Sequence, residues 1–358
     1  MSGKHKVYLA AIETILPKLH DPAKVIGKLY SEEVCSRKVH KLAVKSQKAL
    51  DIQYRPSVLD VDKLPKLRLA RKKDHPKQWG TKIATSLSNV VGLERVGFLS
   101  LAYNSSFNVN TLPNLASRIV LGAKLRLDQI PIEWTNYGCA GGLYALKSAY
   151  DFCAETEKAA IVFVFDQCSA AYADPIYDPD EKHFKSFLRS ALLFGDGAIG
   201  FLLIPESLRD VYEYPLMEIK DFERVFHPGS HVGMVNGRFL TKEGVKEIMP
   251  KLVSRRLVRP FIERLQVDKD DIAEWSIHQG GPAVLNEFSK KGVLGLADGQ
   301  LDRSHELFQQ YGNFSAPSCL FVLNSYFSEE KLSKRGTQGM VVGFGAGYYL
   351  GAMYYQWG

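Results

Sequence analysis

The chain has 358 residues, of which 46% are hydrophobic and 24% charged, an ordinary composition for a globular protein with room for two core-forming units. No apolar run reaches the roughly 18–20 residues of a membrane span, and the apolar stretch Val7–Ile12 is interrupted too soon by Glu13 for a signal peptide. Five cysteines without paired spacing argue against a disulfide framework and a zinc site. We therefore expect a cytoplasmic protein without a metal site.

The net charge is +7, and much of it lies in Lys63–Lys82. Such a run is commonly a solvated face. It also suits attraction of an anionic ligand, such as a phosphate-bearing carrier or an acidic carrier protein. Nucleic acid is a poor fit, because the chain has neither zinc-finger spacing nor interleaved aromatic and basic residues.

In chain order, the first half alternates strands with helices, as in a sheet buried on both faces. A turn signal, Gly195-Asp196-Gly197, predicts two short strands around it. The predicted elements are a strand at Arg95–Ala102, a helix at Leu112–Leu121, a strand at Ile132–Asn136, a helix at Ala140–Phe152, a strand at Ala160–Phe165 and two strands within Leu192–Ile204.

The second half repeats this order in outline. Its predicted elements are a strand at Glu274–His278, a helix at Pro282–Lys290, a turn at Tyr311–Asn313, a helix at Ser315–Phe327 and strands at Gly339–Gly343 and Tyr348–Tyr355. The pattern predicts an α/β protein of two duplicated halves, 1–205 and 206–358, with two sheets packed around central helices. Residues 206–259 read as a middle insertion with a helix at Thr241–Leu257.

Cys139 lies between a predicted strand and a predicted helix, followed by Ala140-Gly141-Gly142. The free N–H groups and positive dipole end of a helix N-terminus favour thiolate over thiol. The functional interpretation is a nucleophile; the simpler one is a small buried apolar residue. Cys35, Cys153, Cys168 and Cys319 lack this setting and are expected to be structural.

Two further turns hold polar candidates. His278 ends a predicted strand just before Gly280-Gly281-Pro282, and Asn313 precedes a predicted helix in Gly312–Ser318. Each has an ordinary explanation, a satisfied structural histidine or an asparagine cap. In a duplicated fold, however, equivalent turns face one another, so Cys139, His278 and Asn313 are predicted to converge.

These segments resemble the thiolase-superfamily condensing enzymes, in the branch of β-ketoacyl-acyl-carrier-protein synthase III and the chalcone-synthase-like type III polyketide synthases. The resemblance covers about Arg95 to the C-terminus; before it, Arg55 in Ala49–Asp60 faintly resembles a coenzyme A-binding element. The matching pieces are Tyr137–Gly142, Leu193–Ala198, His278–Ala283, Gly312–Ser318 and Gly343–Gly347.

The resemblance implies a thiolase fold with a five-layered α-β-α-β-α architecture. Cys139 would take an acyl group from a thioester, and His278 and Asn313 would hydrogen-bond the enolate left when a malonyl-type extender loses carbon dioxide. Backbone N–H groups of Cys139 and of the turn Gly345, Ala346 and Gly347 would hold the oxyanion. Asp196 is interpreted as a turn residue.

The resemblance further implies a homodimer that uses coenzyme A or acyl carrier protein thioesters as substrates, without a metal or redox cofactor. Arg55 is a candidate substrate contact. Phe314 is a candidate pocket residue, although plain packing is the simpler interpretation. The product would be a β-ketoacyl compound of fatty acid or polyketide biosynthesis.

Within the branch, the sequence favours a synthase III-like enzyme, with an iterative type III polyketide synthase as the alternative. Ala346 stands where type III enzymes usually carry proline, which has no N–H. Met234–Arg238 is also similar to a synthase III segment, whereas Gly-Pro-Ala after His278 leans towards type III.

Other classes fit less well. A degradative thiolase resembles this fold but carries a second cysteine, acting as base, in the C-terminal glycine turn. Thiolysis is disfavoured because no cysteine follows Cys319 in this chain. A papain-type hydrolase would combine cysteine, histidine and asparagine, but its cysteine context is absent. A non-catalytic partner subunit would typically lack the nucleophile that this chain retains.

Overall fold

The computed structural model describes residues 5–107, 112–235, 238–329 and 331–358. Met234–Arg238 therefore lies partly outside the described residues, at Asn236 and Gly237. The strands are β1 Val7–Ile15, β2 Leu19–His20, β3 Arg55–Pro56, β4 Val96–Tyr103, β5 Ile132–Thr135, β6 Ala159–Gln167, β7 Asp196–Pro205, β8 Met217–Phe226, β9 Val232–Val235, β10 Arg238–Thr241, β11 Ile272–Ile277, β12 Gln338–Phe344 and β13 Tyr349–Trp357.

The helices alternate with these strands through much of the chain. They are α1 Pro22–Leu29, α2 Arg37–Leu50, α3 Pro76–Val91, α4 Leu115–Ala123, α5 Gly141–Glu155, α6 Phe184–Leu193, α7 Val245–Val253, α8 Arg259–Leu265, α9 Pro282–Phe288, α10 Asp302–Tyr311 and α11 Ser318–Phe327. A π-helical turn, Ser254–Val258, joins α7 to α8. In the described residues, no helix is both long and apolar enough to cross a membrane.

Nine strands form one mixed sheet in the order β11-β12-β13-β8-β1-β7-β6-β4-β5. The pairs β4–β5, β4–β6 and β11–β12 are parallel, and the others are antiparallel. The two halves meet at β1 and β8, where only three residue pairs, Val7–Ile219 to Leu9–Met217, join them. The expected two sheets are thus one sheet with a narrow junction.

The two halves of the sheet and the helices packed on them form five layers. The central layer holds α5 and α11, whose Leu146 and Leu320 pack in one cluster with Val162 of β6 and Met353 of β13. On the outer face of one half, α3 and α4 cover β4 and β6. On the outer face of the other, α7, α8 and α9 cover β11 and β12. The predicted fold class, a thiolase-type α/β architecture, is confirmed.

Two local predictions are wrong. Leu192–Ile204 does not hold two strands around a glycine turn: α6 continues to Leu193, and β7 runs unbroken from Asp196. The Asp196 carboxylate is buried and accepts N–H bonds from Val58 and Ser169 (2.7 and 2.8 Å), which fix it at the strand start.

Residues 206–259 are not an insertion. Their β8 lies inside the large sheet between β13 and β1, and its alternation of buried and exposed side chains suits a strand with one covered face. The predicted helix Thr241–Leu257 begins later, as α7 at Val245, and its last residues form the π-helical turn.

Candidate active site

Cys139 lies in a 3₁₀ turn, Gly138–Ala140, between β5 and the start of α5. Gly138 has φ +57°, a conformation that glycine adopts without steric cost. The side chain of Cys139 is buried, with 7% of the residue exposed. The turn therefore places the thiol at the N-terminus of a central helix, inside the protein.

Cys139, His278 and Asn313 line one small cavity, with an internal volume of about 60 Å³. The structure thus brings together the three residues that the sequence placed at equivalent turns. The remaining lining is largely apolar: Leu193, Phe194, Val232, Phe239, Thr241, Val245, Met249, Gly280, Val284, Phe344, Gly345 and Ala346.

Cys139 is a thiol in this site rather than the expected thiolate. Burial raises its pKa to about 12, and the charge of the Asp166 carboxylate adds to the effect. The Ser315 hydroxyl, 3.7 Å from Sγ, opposes it as a hydrogen-bond partner. Desolvation outweighs the favourable helix terminus, so the site favours the thiol rather than the predicted thiolate.

The raised pKa of Cys139 predicts how its alkylation rate depends on pH. Only thiolate reacts with iodoacetamide, and the thiolate fraction grows about tenfold per pH unit below the pKa. We expect the alkylation rate at Cys139, followed by peptide mass spectrometry, to rise about tenfold per unit from pH 6.5 to 9.5 without a plateau. A plateau below pH 8 would contradict the raised pKa. Free cysteine in the same mixture reports the reagent's intrinsic rate.

His278 follows the end of β11, where its backbone N–H donates to the carbonyl oxygen of Val342 (2.9 Å). Its ring stands edge-on to Phe344, with centroids 5.2 Å apart. Burial lowers the pKa of His278 to about 3, so the imidazole is neutral near pH 7. Nδ1 is buried and has no hydrogen-bond partner among the described residues. A neutral ring can donate from one nitrogen and accept at the other.

Asn313 has a fixed amide orientation. Its Oδ1 accepts hydrogen bonds from the Ser315 backbone N–H (2.7 Å) and the Ser318 hydroxyl (3.0 Å). The backbone is held as well: its N–H donates to Leu193, and its carbonyl accepts from the Gly195 N–H. Because both oxygen bonds come from donors, Nδ2 is the group left to donate towards a ligand.

A hydrogen-bond network that sequence reasoning missed links these turns. Asp166, at the end of β6, accepts backbone N–H bonds from Asn104, Ser105 and Ala316 (2.7–3.0 Å). The Asn104 amide donates to Asp166, to the Gly138 carbonyl and to the Ser315 hydroxyl. The only sign of this network in the sequence is Asp166 itself, an acidic residue directly after the apolar predicted strand Ala160–Phe165. The network braces the Cys139 turn against the Asn313 turn.

The turn Gly343–Gly347 approaches Cys139 closely. A Cβ on Gly345 would lie 2.3 Å from the Cys139 nitrogen, and one on Gly138 would lie 2.7 Å from the Ala346 nitrogen. The Gly345 N–H donates to the Tyr349 carbonyl (3.2 Å), so Gly345 is not the free oxyanion donor that the sequence suggested. Gly347, with φ +73°, forms the left-handed step of the turn. Cys139 and Ala346 are the remaining adjacent donors.

Arg55 and Phe314 do not line the cavity. Arg55 is 3% exposed, and its guanidinium lies in the field of the buried Asp196 carboxylate rather than at the surface. The prediction that it contacts a carrier is therefore wrong for this structure. Phe314 is fully buried and stacks on Phe321 at 4.7 Å in the central core, which supports its packing interpretation.

The chain resembles known proteins in its C-terminal sequence and in its fold. Residues 232–356 match the family model of the C-terminal domain of chalcone and stilbene synthases. The whole chain is similar to the crystal structure of the C-terminal type III polyketide synthase domain of Steely1, a type I/III hybrid from Dictyostelium. That match has a TM-score of 0.76 at 15% identity and covers 98% of this chain and 99% of that one.

The family-model match over residues 232–356 favours the type III alternative over the synthase III-like interpretation that Ala346 suggested. The similarity of the whole chain establishes the fold, and the C-terminal match adds the family signal. The resemblance to condensing enzymes of the thiolase fold is thereby confirmed at the level of fold, and residues 232–356 resemble the C-terminal domain of chalcone and stilbene synthases.

Proposed function

We propose that this chain is a condensing enzyme of the type III polyketide synthase kind. It transfers an acyl group from a thioester to Cys139 and then extends that group with a malonyl-type unit. One observation carries the proposal: a single apolar cavity is lined by a buried thiol, a neutral imidazole and an asparagine whose amide nitrogen remains free to donate.

In the acylation step, the Cys139 sulfur attacks the thioester carbonyl, and the backbone N–H groups of Cys139 and Ala346 hold the resulting oxyanion. Collapse forms the acyl–Cys139 thioester and releases the carrier thiolate. Since burial keeps Cys139 protonated, the thiol proton needs an acceptor. Neutral His278 lines the same cavity and can relay it to the departing thiolate.

In the condensation step, a malonyl thioester loses carbon dioxide. The electron pair of the broken carbon–carbon bond stays on the thioester, which becomes an enolate. Asn313 Nδ2 and a ring N–H of His278 donate to the enolate oxygen. The enolate carbon attacks the acyl–Cys139 carbonyl, and cleavage of that thioester returns the Cys139 sulfur. The product is a β-ketoacyl thioester on the carrier, for polyketide or fatty acid biosynthesis.

We propose an anionic carrier, coenzyme A or acyl carrier protein, as the partner that delivers both groups. The exposed face of α2 carries Lys41, Lys45 and Lys48 beside His40, which supports attraction of phosphate or acidic groups. The chemistry requires no resident metal or redox cofactor. A cytoplasmic location fits these substrates.

We also propose a homodimer and a division into halves 1–205 and 206–358. Strand β5 lies at one edge of the nine-stranded sheet, and its first residue, Ile132, is exposed together with Ile130 just before it. An exposed apolar edge strand is suited to pairing with a second copy. The C₂ arrangement is the commonest for such contacts.

A release assay tests the function. Hexanoyl-CoA, whose chain suits an apolar cavity, is incubated with or without malonyl-CoA, and the products are resolved by mass spectrometry. We expect extended products and carbon dioxide only when malonyl-CoA is present. Hexanoic acid released at the same rate without malonyl-CoA would instead indicate a thioester hydrolase.

The number of added two-carbon units separates the two branches. A type III enzyme is expected to add several units, whereas a synthase III-like enzyme adds one. The second candidate retains one supporting observation, the N–H that Ala346 supplies where proline would have none.

A further inference from the structure

Tyr348 has an unusual backbone conformation next to the proposed oxyanion site. It closes the 3₁₀ turn Ala346–Tyr348 with φ +59°. Residues other than glycine, and bulky ones above all, rarely adopt this left-handed backbone conformation. The residue is 3% exposed. Such a conformation persists only where surrounding contacts over-determine it, and these positions concentrate at functional sites.

The contacts that hold Tyr348 come from the segment His227–His231, which we call the clamp. The rings of His227 and His231 lie within 8° and 9° of parallel to the Tyr348 ring, with centroids 6.3 and 6.0 Å away. The His227 N–H donates to the Tyr348 carbonyl (3.1 Å). A Cβ on Gly229 would lie 2.1 Å from the Tyr348 ring, so the clamp backbone packs directly on it.

Tyr348 in turn fixes the turn that carries Ala346. Its N–H donates to the Gly345 carbonyl (3.0 Å), and the Gly345 N–H donates to the carbonyl of the next residue, Tyr349 (3.2 Å). Ala346 lies inside this closed loop of bonds. Val232, which follows the clamp, and Ala346 both line the cavity. The direction of the Ala346 N–H therefore depends on how Tyr348 is held.

We propose that Tyr348 is a positioning residue, held by the clamp His227–His231, that directs the Ala346 N–H towards the oxyanion formed when Cys139 is acylated. This inference rests on the proposed function and adds a specific role for residues outside the cavity. A shift of about 1 Å in a catalytic group can cost on the order of a hundredfold in rate.

The test is Gly229→Ala, with Gly233→Ala as the matched control. Neither glycine has a positive φ, and a Cβ on Gly233 would meet nothing within 4 Å. Two rates at Cys139 are compared: acylation by hexanoyl-CoA, which forms an oxyanion, and alkylation by iodoacetamide, which displaces iodide from a saturated carbon and forms none. We expect Gly229→Ala to slow acylation at least about tenfold and to leave alkylation within about twofold of wild type.

Gly233→Ala should leave both rates unchanged. An equal loss of both rates in Gly229→Ala, or unchanged acylation, would overturn the positioning role. If Gly229→Ala does not fold, the pair Tyr348→Phe and Tyr348→Ala makes the same comparison. Phenylalanine keeps the ring contacts and is expected to retain most of the acylation rate, whereas alanine is expected to lose it. Wild-type protein that is not acylated at all would refute the proposed function instead.

Discussion

Cys139→Ala protein should show no mass gain after incubation with a panel of acyl-CoA thioesters, whereas wild-type protein should gain the mass of one acyl group. The substitution removes the sulfur that forms the covalent bond, while the small side chain fits the buried turn. Intact-protein mass spectrometry measures the result and also identifies the preferred starter by the size of the gain.

The matched control is Cys319→Ala. Cys319 is a free cysteine of α11 that is buried in the central core and is not among the residues lining the cavity. We expect this variant to acylate like wild type. Acylation that persists in Cys139→Ala, or that disappears equally in Cys319→Ala, would remove Cys139 from the proposed mechanism.

Asn313→Ala should separate the two halves of the reaction. The change deletes one of the two side-chain donors proposed for the enolate oxygen, and the loss of such a donor typically costs about 2.7–4 kcal/mol, or roughly 10²–10³ in rate. We expect decarboxylation of malonyl-CoA to fall by that factor. Self-acylation of Cys139 should survive, because the proposed acylation step uses backbone donors.

Carbon dioxide release and intact-protein mass gain are measured on the same preparation. Asn324→Ala, in the half-buried part of α11, is the control and should change neither quantity. Equal loss of both steps in Asn313→Ala would mean that Asn313 holds the site together rather than stabilising the enolate. Its bonds to Ser315 and Ser318 make that comparison necessary.

The sequence was sufficient for the fold class and for the meeting of Cys139, His278 and Asn313. Each of the three stands at a short turn with strong local signals: Cys139 and His278 follow strands and have glycines nearby, and Asn313 follows Gly312 at the end of α10. A duplicated strand–helix order brings such turns together whatever the details of packing. Helix and strand bounds within these segments differ from the prediction by only a few residues.

The protonation state of Cys139 could not be predicted from the sequence. Local sequence places Cys139 at a helix terminus, but its pKa is set by burial under elements distant in the chain. The bracing network has the same character, since Asn104 and Ser315 are 211 residues apart. Strand β8 was missed because its alternating charged residues resemble a solvated segment, although one face of it is covered.

The isolated bridge between Phe194 and Asn313 has a consequence for how the cavity could vary among related chains. Phe194 is part of the cavity wall, and the backbone around it bonds directly to that of Asn313. Changes of side chain at this wall leave these backbone bonds in place. Insertions or deletions there would shift the Asn313 amide, the proposed donor in decarboxylation, so variation in loop length is expected to avoid residues 193–196.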